Sequence, residues 1–430
     1  MKVILRHFSV LFLLFVIPLL VSSQTLIDFL KSQPEVKKIT PIESNEFFNA
    51  TYEIMVRQPV NYKDTTDGFF LQRVIVADKG VENPVVVITE GYNADYAEKP
   101  GYINELSPLL DANQICIEYR YFGKSVPDPL NWDYLTVKNG ATDQHRIIQL
   151  FKKYYRSKWV STGISKGGQT AMSHREFFPD DVDVTVEYVG PVNYAVEDGR
   201  HEPFIAHKAG TAKQRKTVFN FQIEALKRKA RLVPLLKTYS EENQYTYRMP
   251  PDKVFDYCVL EFSFSFWQWV NKVEEIPADT ASDQEIFDYL MKVASSDYFS
   301  EEGIEPTRPF FVQAAKELGY YGYDTRRFKK YLSISTAKNY LERVFLPEGM
   351  HVKFNPETMK NLQKFLQKTD AKMIFIYGEN DPWRASGASV PKKDNFLKVV
   401  QKDGGHRTRI NTLPDDQKEK VITTLKNWLQ

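Results

Sequence analysis

The sequence predicts an α/β fold, a mostly parallel, doubly wound sheet that is interrupted by a helical cap insertion and then resumed. Three features lead there. Short β-rich runs alternate with segments of helical spacing between residues 70 and 178. From residue 195 to 367 the β-rich runs nearly vanish and helical stretches follow one another. Sheet-type sequence returns after residue 370.

Residues 70–77, 84–89 and 114–119 are short β-rich runs bounded by Gly, Pro, Asn or Asp, the signature of strands. A helix is expected over 103–110, between the last two. Ile147, Ile148, Leu150 and Phe151 recur at helical spacing within 143–155. A strand at 158–162 and a helix at 168–178 follow. Within the insertion, helices are expected over 211–237, 251–273, 283–294, 309–318, 324–344 and 356–367. Strands at 371–377 and 395–400 rebuild the sheet, and a helix over 417–429 ends the chain. The expected division is a first core part at 24–194, a cap at 195–367 and a second core part at 368–430.

Composition narrows the function. The 430 residues are 42% hydrophobic and 26% charged, which fits a globular chain. Lys and Arg number 57 against 55 Asp and Glu, so no charge excess marks a nucleic-acid or anionic-membrane binder. Two cysteines, Cys116 and Cys258, cannot build a disulfide framework or a four-thiolate zinc site, and whether they pair is open. Residues 1–23 carry Lys2 and Arg6, an apolar stretch from Phe8 to Val21, then Ser22 and Ser23, the layout of a cleaved signal peptide. The apolar run is shorter than the roughly 20 residues of a membrane span and contains Pro18. Its removal takes away two cations and no acid, leaving an exported, secreted or periplasmic, chain with no net formal charge and no membrane anchor.

The most informative segment is G-x-S-x-G at Gly163, Ser165 and Gly167. By chance this pattern turns up in roughly one chain of this length in seven, so the context decides. An apolar strand precedes it, and a helix-forming stretch with Gly168 follows. In a strand-turn-helix elbow the nucleophile is strained and its flanking glycines leave room where helix crosses strand, the arrangement of an α/β-hydrolase. A serine hydroxyl needs an imidazole to take its proton and an acid to orient that imidazole. The elbow architecture orders them Ser, acid, His. His406, in D-G-G-H-R after a late strand, meets that order. Asp381 is the expected acid at the end of the preceding strand, with Glu379 as competitor. The expected oxyanion donors are the backbone N–H of Lys166 and one from the Glu90-Gly91-Tyr92 loop. This chemistry requires no metal or organic cofactor.

Several segments carry a family resemblance: E-G-Y at 90–92, E-Y-R-Y-F-G-K-S at 118–125, Y-L-T-V-K-N-G-A-T-D-Q-H-R at 134–146, the elbow at 161–171, F-S-F-W-Q-W at 264–269 and Q-A-A-K-E-L-G-Y-Y at 313–321. Together they resemble the secreted prolyl tri/tetrapeptidyl aminopeptidases, family 37 of the serine peptidases. The lysosomal Pro-X carboxypeptidase and dipeptidyl peptidase II group is a more distant likeness. The resemblance implies Ser165 as nucleophile, Asp381 as orienting acid and His406 as base, acting on peptides after proline from a free amino terminus. The elbow departs from the family pattern at Ile164 and Gln169.

Such an enzyme must hold the substrate ammonium, and a carboxylate in a desolvated cleft is the natural anchor. Glu90 and Glu317 are candidates, and Gln313 lies in the same family segment as Glu317. Proline suits an aromatic slot, for which Trp267, Trp269, Tyr320 and Tyr321 are candidates. The basic run from Lys227 to Arg231 reads as a solvated helix face. Two other readings keep the fold: an ester or lipid hydrolase, and a non-catalytic binding protein. The H-G-G-G oxyanion segment common in lipases and esterases is missing from this sequence.

Overall fold

The computed structural model describes residues 25–430. The leader read as a signal peptide lies outside them. One sheet of nine strands organises the molecule: β1 Val36–Ile42, β2 Ala50–Pro59, β3 Phe69–Asp78, β4 Val85–Thr89, β5 Asn113–Ile117, β6 Trp159–Ile164, β7 Val184–Tyr188, β8 Lys372–Gly378 and β9 Phe396–Gln401. Their order is β1-β2-β3-β5-β4-β6-β7-β8-β9. The pairs from β1 to β5 along that order are antiparallel, and the pairs from β5 to β9 are parallel. This is the α/β-hydrolase arrangement, as expected.

The central strands β4–β8 are almost entirely buried, on both faces, which explains why β4 and β8 read as apolar runs. Successive side chains on a strand face opposite ways. Val86, Ile88 and Cys116 therefore enter one apolar cluster, while Val85, Val87, Ile115 and Ile117 enter another beneath the opposite face. Both cysteines are buried and free.

Three strands carried no clear signal. β1 and β2 are a partly solvated antiparallel pair whose charged residues break the apolar run, and β7 is only V-T-V-E-Y. No strand among the described residues lies between β7 and β8, where helices dominate. One expected helix, 324–344, does not form as such. It runs through turns, and only Leu341–Phe345 is a helical turn, of π type. The buried Asp256 carboxylate draws the N–H groups of Ser333 and Ile334 outward, at 2.6 and 3.0 Å, which takes two donors from any helical ladder. The expected helix over 211–237 is two, Ala212–Lys227 and Lys229–Glu242, meeting at Arg228. The basic run there is not simply solvated, because Lys229 pairs with Asp256 and Arg228 and Arg231 with Asp283.

The segment at 118–125 is a structural knot. The buried Glu118 carboxylate accepts from Arg73, from the N–H groups of Ala94 and Lys124 at 3.0 and 2.8 Å, and from Ser125 Oγ at 2.7 Å. Arg120, also fully buried, forks onto Asp143 at 2.6 and 2.8 Å and donates to the carbonyls of Pro59, Val60 and Tyr134. Gly123 has φ 51°, and a side chain there would strike the Glu118 carboxylate. The knot pins the loop after β5 beside the loop after β4.

Candidate active site

Parallel strands bring their carboxyl ends to one edge, where ligands of open α/β sheets collect. The loops after β4, β6, β8 and β9 carry Glu90 to Tyr92, Ser165, Asp381 and His406. Ser165 adopts φ 57° and ψ −120°, a strained conformation for a residue with a Cβ. Its N–H is held by the Tyr188 carbonyl at 2.8 Å, and its side chain does not cap the helix Lys166–Phe177 that follows. The glycine spacing is steric. A Cβ at Gly163 would run into the Gly167 carbonyl, and one at Gly168 would lie 2.9 Å from the Tyr188 carbonyl. A Cβ at Gly91 would lie 2.7 Å from Lys166 Cβ and 2.8 Å from Gly167 N, so the loop after β4 packs directly on the elbow.

Asp381 is fully buried. Its Oδ2 lies 2.7 Å from His406 Nδ1, and its Oδ1 accepts the Trp383 N–H at 3.1 Å. Glu379 instead accepts from the Asp403 N–H on the exposed side, so the carboxylate at His406 is that of Asp381. With Nδ1 facing the carboxylate, Nε2 sits on the other edge of the ring. No hydrogen bond joins it to Ser165 Oγ among the described residues, a contact that commonly tightens only when substrate binds. The main chain of His406 donates to the Gln268 carbonyl at 2.8 Å, and the Trp269 ring meets the imidazole edge-on with centroids 5.7 Å apart. Gly405 permits this approach, because a Cβ there would fall 2.6 Å from the same carbonyl.

Ser165 opens into a cleft of about 410 Å³, within the range of small-ligand sites. Tyr92, Lys166 and Gln169 line its floor, and Glu261, Trp269, Tyr320, Tyr321 and Trp383 its walls. Gln169, one of the two departures in the elbow, donates to Met359 Sδ at 3.2 Å; Ile164, the other, is exposed.

Comparison with known proteins supplies the family. The sequence model of the PS-10 peptidases, S37, matches residues 25–430. The chain belongs to peptidase family S37. It is a serine peptidase. This S37 peptidase is 30% identical over 401 residues to the prolyl tri/tetrapeptidyl aminopeptidase of Streptomyces mobaraensis, covering 90% of its own chain and 82% of that protein. A prolyl carboxypeptidase-like protein 5 of Caenorhabditis elegans is 28% identical over 123 residues, 25% of this chain and 24% of that one. Among solved structures, the proline iminopeptidase of Mycobacterium smegmatis is 12% identical with a TM-score of 0.39, covering 86% of this chain and 98% of that chain. Epoxide hydrolase A of Mycobacterium thermoresistibile is 14% identical with a TM-score of 0.38, covering 83% and 95%.

In the S37 peptidase several expected substrate contacts lie away from the cleft. The Glu317 carboxylate is spent on the N–H of Val137, on Thr358 and on Gln313, capping the helix Val137–Phe151. Gln313 donates to Tyr119 Oη at 2.9 Å, behind the elbow. Glu90 accepts from the Tyr96 hydroxyl, and desolvation pushes its carboxyl up to about 7. Trp267 packs over Gly210 and lines a separate cavity within the helical block. Trp269, Tyr320 and Tyr321 do reach the cleft.

Sequence reasoning missed Glu261, which lines the cleft, and His201, which supports the turn after Asp381. Glu261, on the helix Pro251–Gln268, is buried and accepts from Tyr321 and Tyr323 on Oε2, each at 2.8 Å, and from Ser265 on Oε1 at 2.6 Å. Desolvation outweighs these bonds and raises its carboxyl to about 7. His201 lies 3.1 Å from both Asn193 Oδ1 and the Pro382 carbonyl, and burial lowers it to about 4, so it stays neutral while bracing the turn after Asp381. F-S-F-W-Q-W, three to eight residues beyond Glu261, was the nearest signal for the first. Nothing local marked the second.

Proposed function

We propose that this peptidase is exported and removes short peptides from free amino termini by cutting after proline. The observation that carries the reading is Glu261. A carboxylate offers about four acceptor positions. Three on Glu261 are taken by hydroxyls, which leaves one on Oε1 within the cleft that Ser165 opens into. A buried carboxylate with a free acceptor position on the lining of that cleft suits a substrate ammonium, and its distance from Ser165 would set how many residues fit before the scissile bond. Trp269, Trp383 and Tyr320 supply an apolar aromatic wall for the proline ring. The Streptomyces relative's name points the same way.

In this mechanism Ser165 Oγ attacks the carbonyl after proline while His406 Nε2 takes its proton, and Asp381 holds Nδ1–H and the imidazolium that forms. The tetrahedral oxyanion sits on the N–H groups of Lys166 and Tyr92. His406 then protonates the departing amine, and water repeats the sequence in reverse on the acyl-enzyme. Tyr92 suits the second donor role better than Gly91, since the Glu90 N–H is occupied by the Ile117 carbonyl and the Gly91 N–H is drawn to the Glu90 carboxylate. The segment 195–367 acts as the cap over this site, on a core formed by 24–194 and 368–430.

Mass spectrometry of products from a proline-containing peptide, compared with its amino-acetylated form, tests the reading. Release of di-, tri- or tetrapeptides from the free form alone is expected. Equal cutting of both forms, or hydrolysis of short acyl esters without peptides, overturns it. Failure of a fluorophosphonate to label folded protein at Ser165 would favour a binding protein instead.

A further inference from the structure

The Lys166 side chain has no task in the mechanism above, which uses only its backbone N–H. The side chain is nonetheless buried, beside the nucleophile. Its Nζ donates to the Gly91 carbonyl at 2.7 Å and sits 3.3 Å from the centroid of the Tyr119 ring, with the Tyr92 and Phe122 rings also close. Burial holds the amine well below the usual lysine range. A buried lysine is costly, and this one spends its donor on a single backbone oxygen.

That oxygen is informative. The Gly91 carbonyl and the Tyr92 N–H belong to one peptide unit, which is planar and, when trans, points its C=O and N–H in opposite directions. Gripping the oxygen from one side aims the N–H to the other. The neighbouring units are tied as well: the Glu90 N–H donates to the Ile117 carbonyl at 3.3 Å, and the Tyr119 N–H donates to the Tyr92 carbonyl at 3.1 Å. The aromatic rings around Nζ keep water from competing for the Gly91 oxygen.

We propose that the Lys166 side chain is a positioning residue that holds the Gly91–Tyr92 peptide plane so that the Tyr92 N–H faces the oxyanion, one residue thereby supplying the first donor and orienting the second. The proposal rests on the oxyanion reading given under Proposed function.

Lys166→Met on the whole chain tests it, assayed on a proline-containing tripeptide amide. Loss of an aligned oxyanion donor lowers kcat by roughly 100-fold, with KM unchanged within about twofold. Fluorophosphonate labelling slows by a similar factor, because the phosphoryl oxygen needs the same donors. The thermal midpoint should not fall, since the substitution removes a desolvated amine, and a purely structural lysine would not separate kcat from KM. A kcat within about threefold of wild type overturns the proposal, whatever KM does. Should the variant not fold, the wild-type adduct with a peptide boronate decides. Lys166 Nζ kept on the Gly91 carbonyl, with the boronate oxygen on the Tyr92 N–H, supports the proposal; a Gly91 carbonyl released from Lys166, or an oxygen held elsewhere, overturns it. Failure of the underlying oxyanion reading looks different: the boronate oxygen then sits off the Tyr92 N–H while Lys166 Nζ still holds the Gly91 carbonyl, whereas a released carbonyl with the oxygen on Tyr92 fails the proposal alone.

Discussion

Replacing Glu261 by Gln isolates the charge that the proposed amino-terminal anchor depends on. The substitution keeps one acceptor oxygen and nearly the same volume. Breaking a buried, hydrogen-bonded charge pair costs about 2–5 kcal/mol, and retention of an acceptor puts this variant at the low end. About 2–3 kcal/mol is roughly a 30- to 150-fold loss in kcat/KM on free peptides. The pH dependence sharpens the test. Below its raised value of about 7, Glu261 is protonated and cannot pair with an ammonium. The ratio of wild-type to variant kcat/KM should therefore climb about tenfold per pH unit up to pH ~7 and then level off. Taking the ratio cancels the contribution of the catalytic base. Stability should move oppositely: with a folded value above the unfolded one, the native state keeps a proton that the unfolded chain has lost. Native stability thus falls as pH rises from 4.5 to about 7, by about 3 kcal/mol at most, and the variant escapes that fall. Stopped assays on free and amino-acetylated tripeptide amides, with thermal melts at pH 5 and 8, would read both effects. A ratio flat in pH, or an equal loss on acetylated substrate, would refute the anchor.

Further expectations concern the reacting groups and their support. Ser165→Ala should lower turnover by about six orders of magnitude in a single-turnover assay while the melt is unchanged or improved, since the strained nucleophile is gone. Asp381→Asn should lower kcat by about 10⁴-fold by leaving the imidazole in the wrong tautomer, whereas Glu379→Gln should stay within a few-fold on the same substrate. Asp143→Ala strands the Arg120 guanidinium without its buried partner and should cost about 3–5 kcal/mol in urea unfolding, with secondary effects on activity only through loss of fold.

What could be read from the chain beforehand follows from where the determining physics is local. The elbow was legible because its glycines answer to contacts within a few residues, and Asp381 and His406 because sheet order constrains their sequence order. Strands β4 and β8 announced themselves as apolar runs, and β5 and β6 as short β-rich runs bounded by turn or polar residues. β7 went unread although V-T-V-E-Y is rich in strand formers, because it is only five residues long and Glu187 interrupts its apolar character. Glu90, Glu317, Gln313 and Trp267, expected as substrate contacts, lie off the lining of the cleft. Glu317 and Gln313 meet partners from distant segments that sequence cannot reveal, and Glu90 meets Tyr96 six residues on, across a loop whose turn the sequence does not show. Glu261 was hidden in C-V-L-E-F-S-F, where a lone carboxylate among apolar neighbours resembles a helix-core exception. Only the approach of Tyr321 and Tyr323, about 60 residues later in the chain, gives it meaning.

The tether between the His406 main chain and Gln268 ties the imidazole's loop to the helical segment over the cleft, in addition to its bond through Asp381 to the sheet below. Raising that segment is therefore expected to pull the imidazole out of register with the serine. A bulky folded protein that props the entrance apart would disarm the enzyme it had entered, while a small peptide that lets the lid settle would be cut.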